Sequence, residues 1–88
     1  MTPAVMEYPG IYTFRVVTRA HPDIRQRVRV AVESVIGAGA VPDHAFLERP
    51  SSAGNYLALH FSVTLESEDQ RRDVYGRLKA DEAVMFML

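Results

Sequence analysis

The chain has 88 residues with 48% apolar and 24% charged content, the proportions of one ordinary globular domain rather than of a disordered or fibrous chain. Ten Lys and Arg against eleven Asp and Glu leave a formal net charge of −1, so the whole-chain field that nonspecific nucleic-acid binding draws on is missing. The absence of cysteine excludes a disulfide framework, a thiolate metal site and a Cys nucleophile.

Residues 1–10 hold Pro3, Pro9 and Gly10 without a steady period, and read as an irregular arm. They carry neither a basic start nor an apolar run, so a secretory signal is not expected. No stretch approaches the roughly 20 apolar residues of a membrane helix. These points, with the lack of cysteine, place the chain in the cytoplasm and away from membranes as an expectation.

Ile11 to Thr18 is rich in β-branched and aromatic residues, with Tyr12, Phe14 and Val16 alternating with Thr13, Arg15 and Val17. This predicts a half-buried strand with the first set inward. Ala20-His21-Pro22-Asp23 breaks it. From Ile24 to about Ala38 the apolar residues Ile24, Val28, Ala31, Val32, Val35 and Ile36 form one helical stripe. Gly37, Gly39 and Pro42 stop that helix.

His44 to Arg49 predicts a short strand ended by Pro50. In the following loop, Ser51 to Asn55, Gly54 and Asn55 supply the positive φ of a tight reversal. Tyr56 to Leu65 alternates most clearly, with Leu57, Leu59, Phe61, Val63 and Leu65 on one side. Ser67 and Gln70 form a capping box, and Glu68 and Asp69 suit the positive end of a helix dipole. The helix runs to about Lys79, with a thin apolar face of Val74, Tyr75 and Leu78 and the stem of Arg71 beside it. Asp81-Glu82 turns into a last strand, Ala83 to Leu88.

The order is βαββαβ, a ferredoxin-like α+β arrangement within one domain, 1–88. Right-handed crossovers place both helices on one face of a four-stranded antiparallel sheet of order 4-1-3-2. The other face is left bare. The expected outward set includes Arg15, Val17, His60, Met85 and Met87, with Val84, Phe86 and Leu88 toward the helices. Those five outward residues form the candidate interface, to be covered by a second copy or a protein partner.

No catalytic or metal constellation stands out. No pair among His21, His44 and His60 shows helical i, i+4 spacing or a carboxylate pattern typical of a metal site, and Ser51 and Ser52 lie in a loop without a nucleophile elbow. No enzyme activity, metal or cofactor is expected. Arg25, Arg27 and Arg29 crowd the start of the first helix, where they form a solvated face or, as the sharper alternative, an anion site. RNA binding is not favoured, because the outward set lacks a strong basic and aromatic signature.

Pro50-Ser51-Ser52-Ala53-Gly54-Asn55-Tyr56, the following alternating strand, Val74-Tyr75-x-x-Leu78 and the Met87-Leu88 end resemble the YbeD-like family of small bacterial proteins. Tyr8-Pro9 leading into Tyr12-x-Phe14-x-Val16 resembles it too. The resemblance implies an ACT-like fold and a biochemical role not established for the family, with regulation, including that of lipoate metabolism, suggested by genomic association and fold analogy. It points to a non-enzymatic regulatory module sensing a small molecule at a subunit interface. Its candidate residues are His21, Pro22, Asp23 and Arg25 of the first turn and helix, with Ser51, Ser52, Gly54, Asn55 and Tyr56 from the hairpin of a second subunit. Ligand-binding ACT domains carry a glycine in that first turn; Thr18 to Asp23 has none, which weakens the amino-acid reading. The alternative is an adaptor that docks proteins through the open sheet face or an edge strand.

Overall fold

The computed structural model describes residues 7–87. Its elements are β1 (Gly10–Arg19), α1 (Ile24–Ile36), a 3-10 turn (Asp43–Ala45), β2 (Leu47–Pro50), β3 (Tyr56–Leu65), α2 (Glu68–Lys79) and β4 (Val84–Met87). The sheet order is β2-β3-β1-β4, the expected 4-1-3-2 read from the other edge, and all three pairings are antiparallel. The fold is a small ferredoxin-like α+β unit. Of the expected arm, residues 1–6 lie outside the described residues, Tyr8 packs against the core, and Gly10 already belongs to β1.

The long strands alternate as expected. Phe14, Val16 and Thr18 of β1 and Leu59, Phe61, Val63 and Leu65 of β3 are buried beneath the helices. Direct cross-strand pairing stacks Phe14 on Phe61, with ring centroids 5.5 Å apart, and each such aromatic pair adds about 0.5–1.5 kcal/mol beyond its buried area. From α1 come Ile24, Val28 and Val32, one stripe at i, i+4 and i+8. Gly37, with φ of +128°, caps that helix, which ends at Ile36, two residues before the expected Ala38.

α2 starts as the capping box requires: the Gln70 backbone N–H donates to Ser67 Oγ at 3.2 Å. The Gln70 side chain accepts from the Glu66 N–H at 2.8 Å, one residue earlier than the usual reciprocal bond. The thin face of α2 is completed by Tyr75, whose hydroxyl meets that of Tyr12 at 2.6 Å, and by Arg71, whose guanidinium lies over both rings. Burial and then the Tyr12 hydrogen bond push the Tyr75 phenol up to about 12. The Arg71 guanidinium, followed by the Tyr8 hydroxyl, holds the Glu68 carboxyl at about 2.

Three expectations are corrected. The segment predicted as a strand from His44 begins instead as a 3-10 turn that buries Phe46, and pairing starts only at Leu47. The carboxylate of Asp43 is held by Arg29 at 2.6 Å, which ties the turn to α1. Pro50 belongs to β2 rather than ending it, because an edge strand tolerates a missing N–H. In the hairpin loop only Gly54 takes positive φ, +76°, and Asn55 does not.

A fourth correction carries most consequence. β4 pairs Val84 with Thr18, Phe86 with Val17 and Met87 with Val16, so one extra residue, Met85, bulges between Thr18 and Val17. The bulge inverts the expected faces: Phe86 shares the outward side with Val17, and Met87 packs against the core with Val16. Leu88, expected inward, lies outside the described residues. Accordingly, Phe86→Ser is expected to change stability by less than about 0.5 kcal/mol, and Met87→Ser to cost about 1–2 kcal/mol, in urea unfolding. A strand without the bulge would reverse the two values.

Thr18 is wholly buried and its hydroxyl has no hydrogen-bond partner among the described residues. Valine keeps the shape and β-branching and removes the unsatisfied group. Thr18→Val should therefore raise stability by about 1 kcal/mol, seen as a Tm increase of about 4–8 °C by calorimetry.

Candidate functional site

Two regions gather the candidate residues. The first is the end of the sheet where β1 leads into α1. Arg19 pairs with Tyr56, so the turn after β1 and the β2–β3 hairpin loop lie side by side in one chain. The Ala20 N–H donates to Asn55 O at 2.9 Å and joins them. Within one chain, then, the hairpin loop is a neighbour of the turn after β1.

His21, Pro22 and Arg25 line a shallow cleft of about 420 Å³ with Ala20, Ile24, Glu48 and Leu57. Asp23, Ser51, Ser52, Gly54, Asn55 and Tyr56 are not among its lining residues. Their chemistry is that of turns. Ser51 Oγ accepts from the Tyr56 N–H at 3.1 Å, and the Ser51 N–H donates to Tyr56 O at 2.9 Å, closing the loop. His21 Nδ1 accepts from the Asp23 N–H at 3.2 Å, and the Asp23 side chain caps nothing.

The arginines of α1 do not converge on an external anion. Arg25 reaches Glu48 at 2.8 Å and Asp43 at 3.4 Å. Arg29 takes Asp43, and Arg27 grips Asp81 through two bonds, Nε to Oδ2 at 2.9 Å and the second from its terminal nitrogen to Oδ1. Each is spent on a carboxylate of the same chain. Arg71 with Glu68 and Arg72 with Asp69 complete the ion pairs among the described residues.

The second region is the open face of the sheet. Register places its outward side chains in rows across the strands. Arg49, Ala58, Val17 and Phe86 form one row over all four strands. Leu47, His60 and Arg15 form the next, and Tyr56 with Arg19 lies on the opposite flank. Beyond His60 the hydroxyls of Thr13 and Ser62 meet at 2.8 Å, and Ile11 stands exposed opposite Thr64. Phe86 is 54% exposed and Leu47 69%, large apolar groups held in water.

Of the expected interface, Arg15, Val17 and His60 stand outward as read, and Met85 is exposed at the bulge. Met87 is withdrawn into the core side. Four members escaped the sequence. Phe86 was hidden by the bulge, Arg19 lay beyond the expected strand end, and Leu47 and Arg49 sat in a strand too short to phase. The alternation Leu47, Glu48, Arg49 gave no usable signal, since it would put the leucine inward and the acid outward.

A family described as "Protein of unknown function (DUF493)" matches residues 3–88. The chain belongs to that family. Among DUF493 relatives, the UPF0250 protein of Janthinobacterium sp. (strain Marseille) is 33% identical over 92 residues, covering 99% of this chain and 93% of the relative. The UPF0250 protein of Neisseria gonorrhoeae (strain ATCC 700825 / FA 1090) is 29% identical over 85 residues, covering 97% and 91%. The solution structure of HP0495 from H. pylori superposes with a TM-score of 0.67 at 14% identity, covering 99% of this chain and 88% of that one. That likeness is one of fold. The YbeD-like resemblance read from the hairpin thus agrees with the family, for which no biochemical function is established. No helix among the described residues is long and apolar enough to cross a membrane.

Proposed function

We propose that this chain is a non-catalytic regulatory module that acts by docking its open sheet face onto another macromolecule. The reading rests on one observation: both helices cover the same side of the sheet, and the other side holds Phe86, Leu47 and Tyr56 in solvent beside three arginines. Aromatic residues and arginine are the types enriched where proteins meet. The central pair Ala58 and Val17 is small enough to leave a flat floor between larger side chains.

The test is cross-linking in native extract with wild type and a Val17→Asp, Phe86→Asp double variant. Both positions face outward, so circular dichroism should show an unchanged fold. Loss of the cross-linked species supports docking through this face; an identical set of species from the double variant counts against it.

Small-molecule sensing at the His21, Pro22 and Arg25 cleft is the second reading. It is favoured by the cleft of about 420 Å³ in which His21 and Arg25 stand together. A thermal-shift series with amino acids, lipoate and nucleotides tests it, since a ligand at about 100 times its Kd adds about 2.7 kcal/mol. No shift with any compound removes this reading.

A further inference from the structure

Charge is divided between the two sides of the molecule. None of the eleven carboxylates occupies an outward position on the four strands; the only acidic strand residue, Glu48, points to the helix side and pairs with Arg25. Arg15, Arg19 and Arg49 all stand on the outward side. Among the described residues none of the three has a carboxylate within ion-pairing distance; on the helix side Arg25, Arg27, Arg29, Arg71 and Arg72 all do, and Arg77 and Lys79 of α2 do not. A chain of net charge −1 thus keeps a face that is cationic and apolar at once.

We infer that the open face receives an acidic polypeptide segment with apolar side chains, its carboxylates meeting Arg15, Arg19 and Arg49 and its apolar groups covering Val17, Leu47 and Phe86. This deepens the docking reading and rests on it. Planar guanidinium groups match carboxylates in bidentate pairs, and the apolar floor beside them excludes water from those pairs.

Two other occupants fit less well. A second copy laid face to face would set the three arginines against their own kind with no counter-charge on that face, and like charges brought together cost several kcal/mol. Single-stranded nucleic acid uses stacking platforms along a basic groove. Here Tyr56 and Phe86 lie on different strands with β1 between them, and the most exposed large apolar residues of the face, Ile11 and Leu47, are aliphatic.

The experiment pans a random display library of peptides about twelve residues long against the full chain, with Arg15→Glu, Arg19→Glu, Arg49→Glu as the counter-target. Enriched sequences should carry two or more carboxylates with interspersed apolar residues. Their affinity should fall at least about tenfold on the charge-reversed chain and also on Arg15→Gln, Arg49→Gln, and weaken with added salt. Circular dichroism and Tm verify that these surface variants fold.

Enriched sequences that are neutral or basic, or that bind the reversed chain equally well, overturn the acidic assignment. If such peptides are still lost on Val17→Asp, docking through the face survives. If binding is indifferent to Val17→Asp, the docking reading falls as well. A library that yields no enriched sequence also overturns the inference. So does a dimer in sedimentation that Val17→Asp dissociates. So does a ribo-oligonucleotide of about 20 uridines that binds more tightly than every peptide at about 150 mM salt.

Discussion

Phe14→Ala is expected to cost about 3–5 kcal/mol and to lower Tm by about 15 °C or more. Phe14 is wholly buried where the β1–β3 pairing meets α2. Its ring stacks on Phe61 and contacts Tyr12 and Tyr75, with centroids 4.7 and 5.2 Å away. Those neighbours belong to β1, β3 and α2, so a cavity there cannot be filled by shifting one element. A chain of this length holds only about 4–13 kcal/mol in total, and the loss takes a large share of it. Phe14→Leu retains most of the volume and should cost about 1–2 kcal/mol. Urea unfolding followed by far-ultraviolet circular dichroism measures both. A Phe14→Ala cost below about 1 kcal/mol would mean that the helices do not pack on β1 as described.

The parts of the fold that could be read from the sequence are those where one side of an element is apolar and the other polar. β3 is the plainest case. Leu59, Phe61, Val63 and Leu65 face the core, and the residues between them face out, because polar side chains such as Ser62 and Thr64 could not be buried without partners. The stripe of α1 works the same way. β4 offers no such contrast: Val84, Met85, Phe86 and Met87 are all apolar, so any phase satisfies the pattern. The bulge that sets the phase comes from the ladder with β1, which spans more than sixty residues of chain. The first half of the segment before β2 failed for a related reason. Its Asp43 is claimed by arginines from α1, a contact that local periodicity cannot see.

The candidate sites divide similarly. Residues Ser51 to Asn55 drew attention for their composition, and that composition turns out to serve the hairpin, with Gly54 at positive φ and Ser51 closing the loop. The cationic character of the open face was the opposite case. Arg15, Arg19 and Arg49 are far apart in the sequence and look unremarkable beside a net charge of −1. Only strand phase and register show that they share a surface from which carboxylates are missing.

The α2–β4 turn leads directly into the β1–β4 ladder, and this makes Asp81 a sensitive position. Asp81 Oδ1 accepts from the Ala83 N–H at 2.9 Å while both oxygens receive the Arg27 guanidinium from α1. Two residues on, Ala83 O accepts the Arg19 N–H at 2.8 Å and starts the β1–β4 ladder. The side chain of Asp81 is only 19% exposed, which places the pair between a buried and a surface ion pair. Asp81→Ala should cost about 2–3 kcal/mol, since it strands Arg27 and frees the turn. Asp81→Asn retains an acceptor for Ala83 and should cost about 1–2 kcal/mol. Burial alone would raise the Asp81 carboxyl; the Arg27 hydrogen bonds and the Ala83 N–H outweigh it and hold the group below its ordinary value. A carboxyl lowered in the folded state stabilises fully above its unfolded value, near pH 4, and that stability disappears as pH falls through the folded value. The gap between wild type and Asp81→Asn should therefore be widest at neutral pH and shrink below about pH 4. Glu68 titrates in the same acidic range, but it is present in both proteins and cancels in the difference. Urea curves for the two proteins at neutral pH and at about pH 2.5 give the comparison. A gap that stays constant between them would show that Asp81 acts through turn geometry and not through its charge.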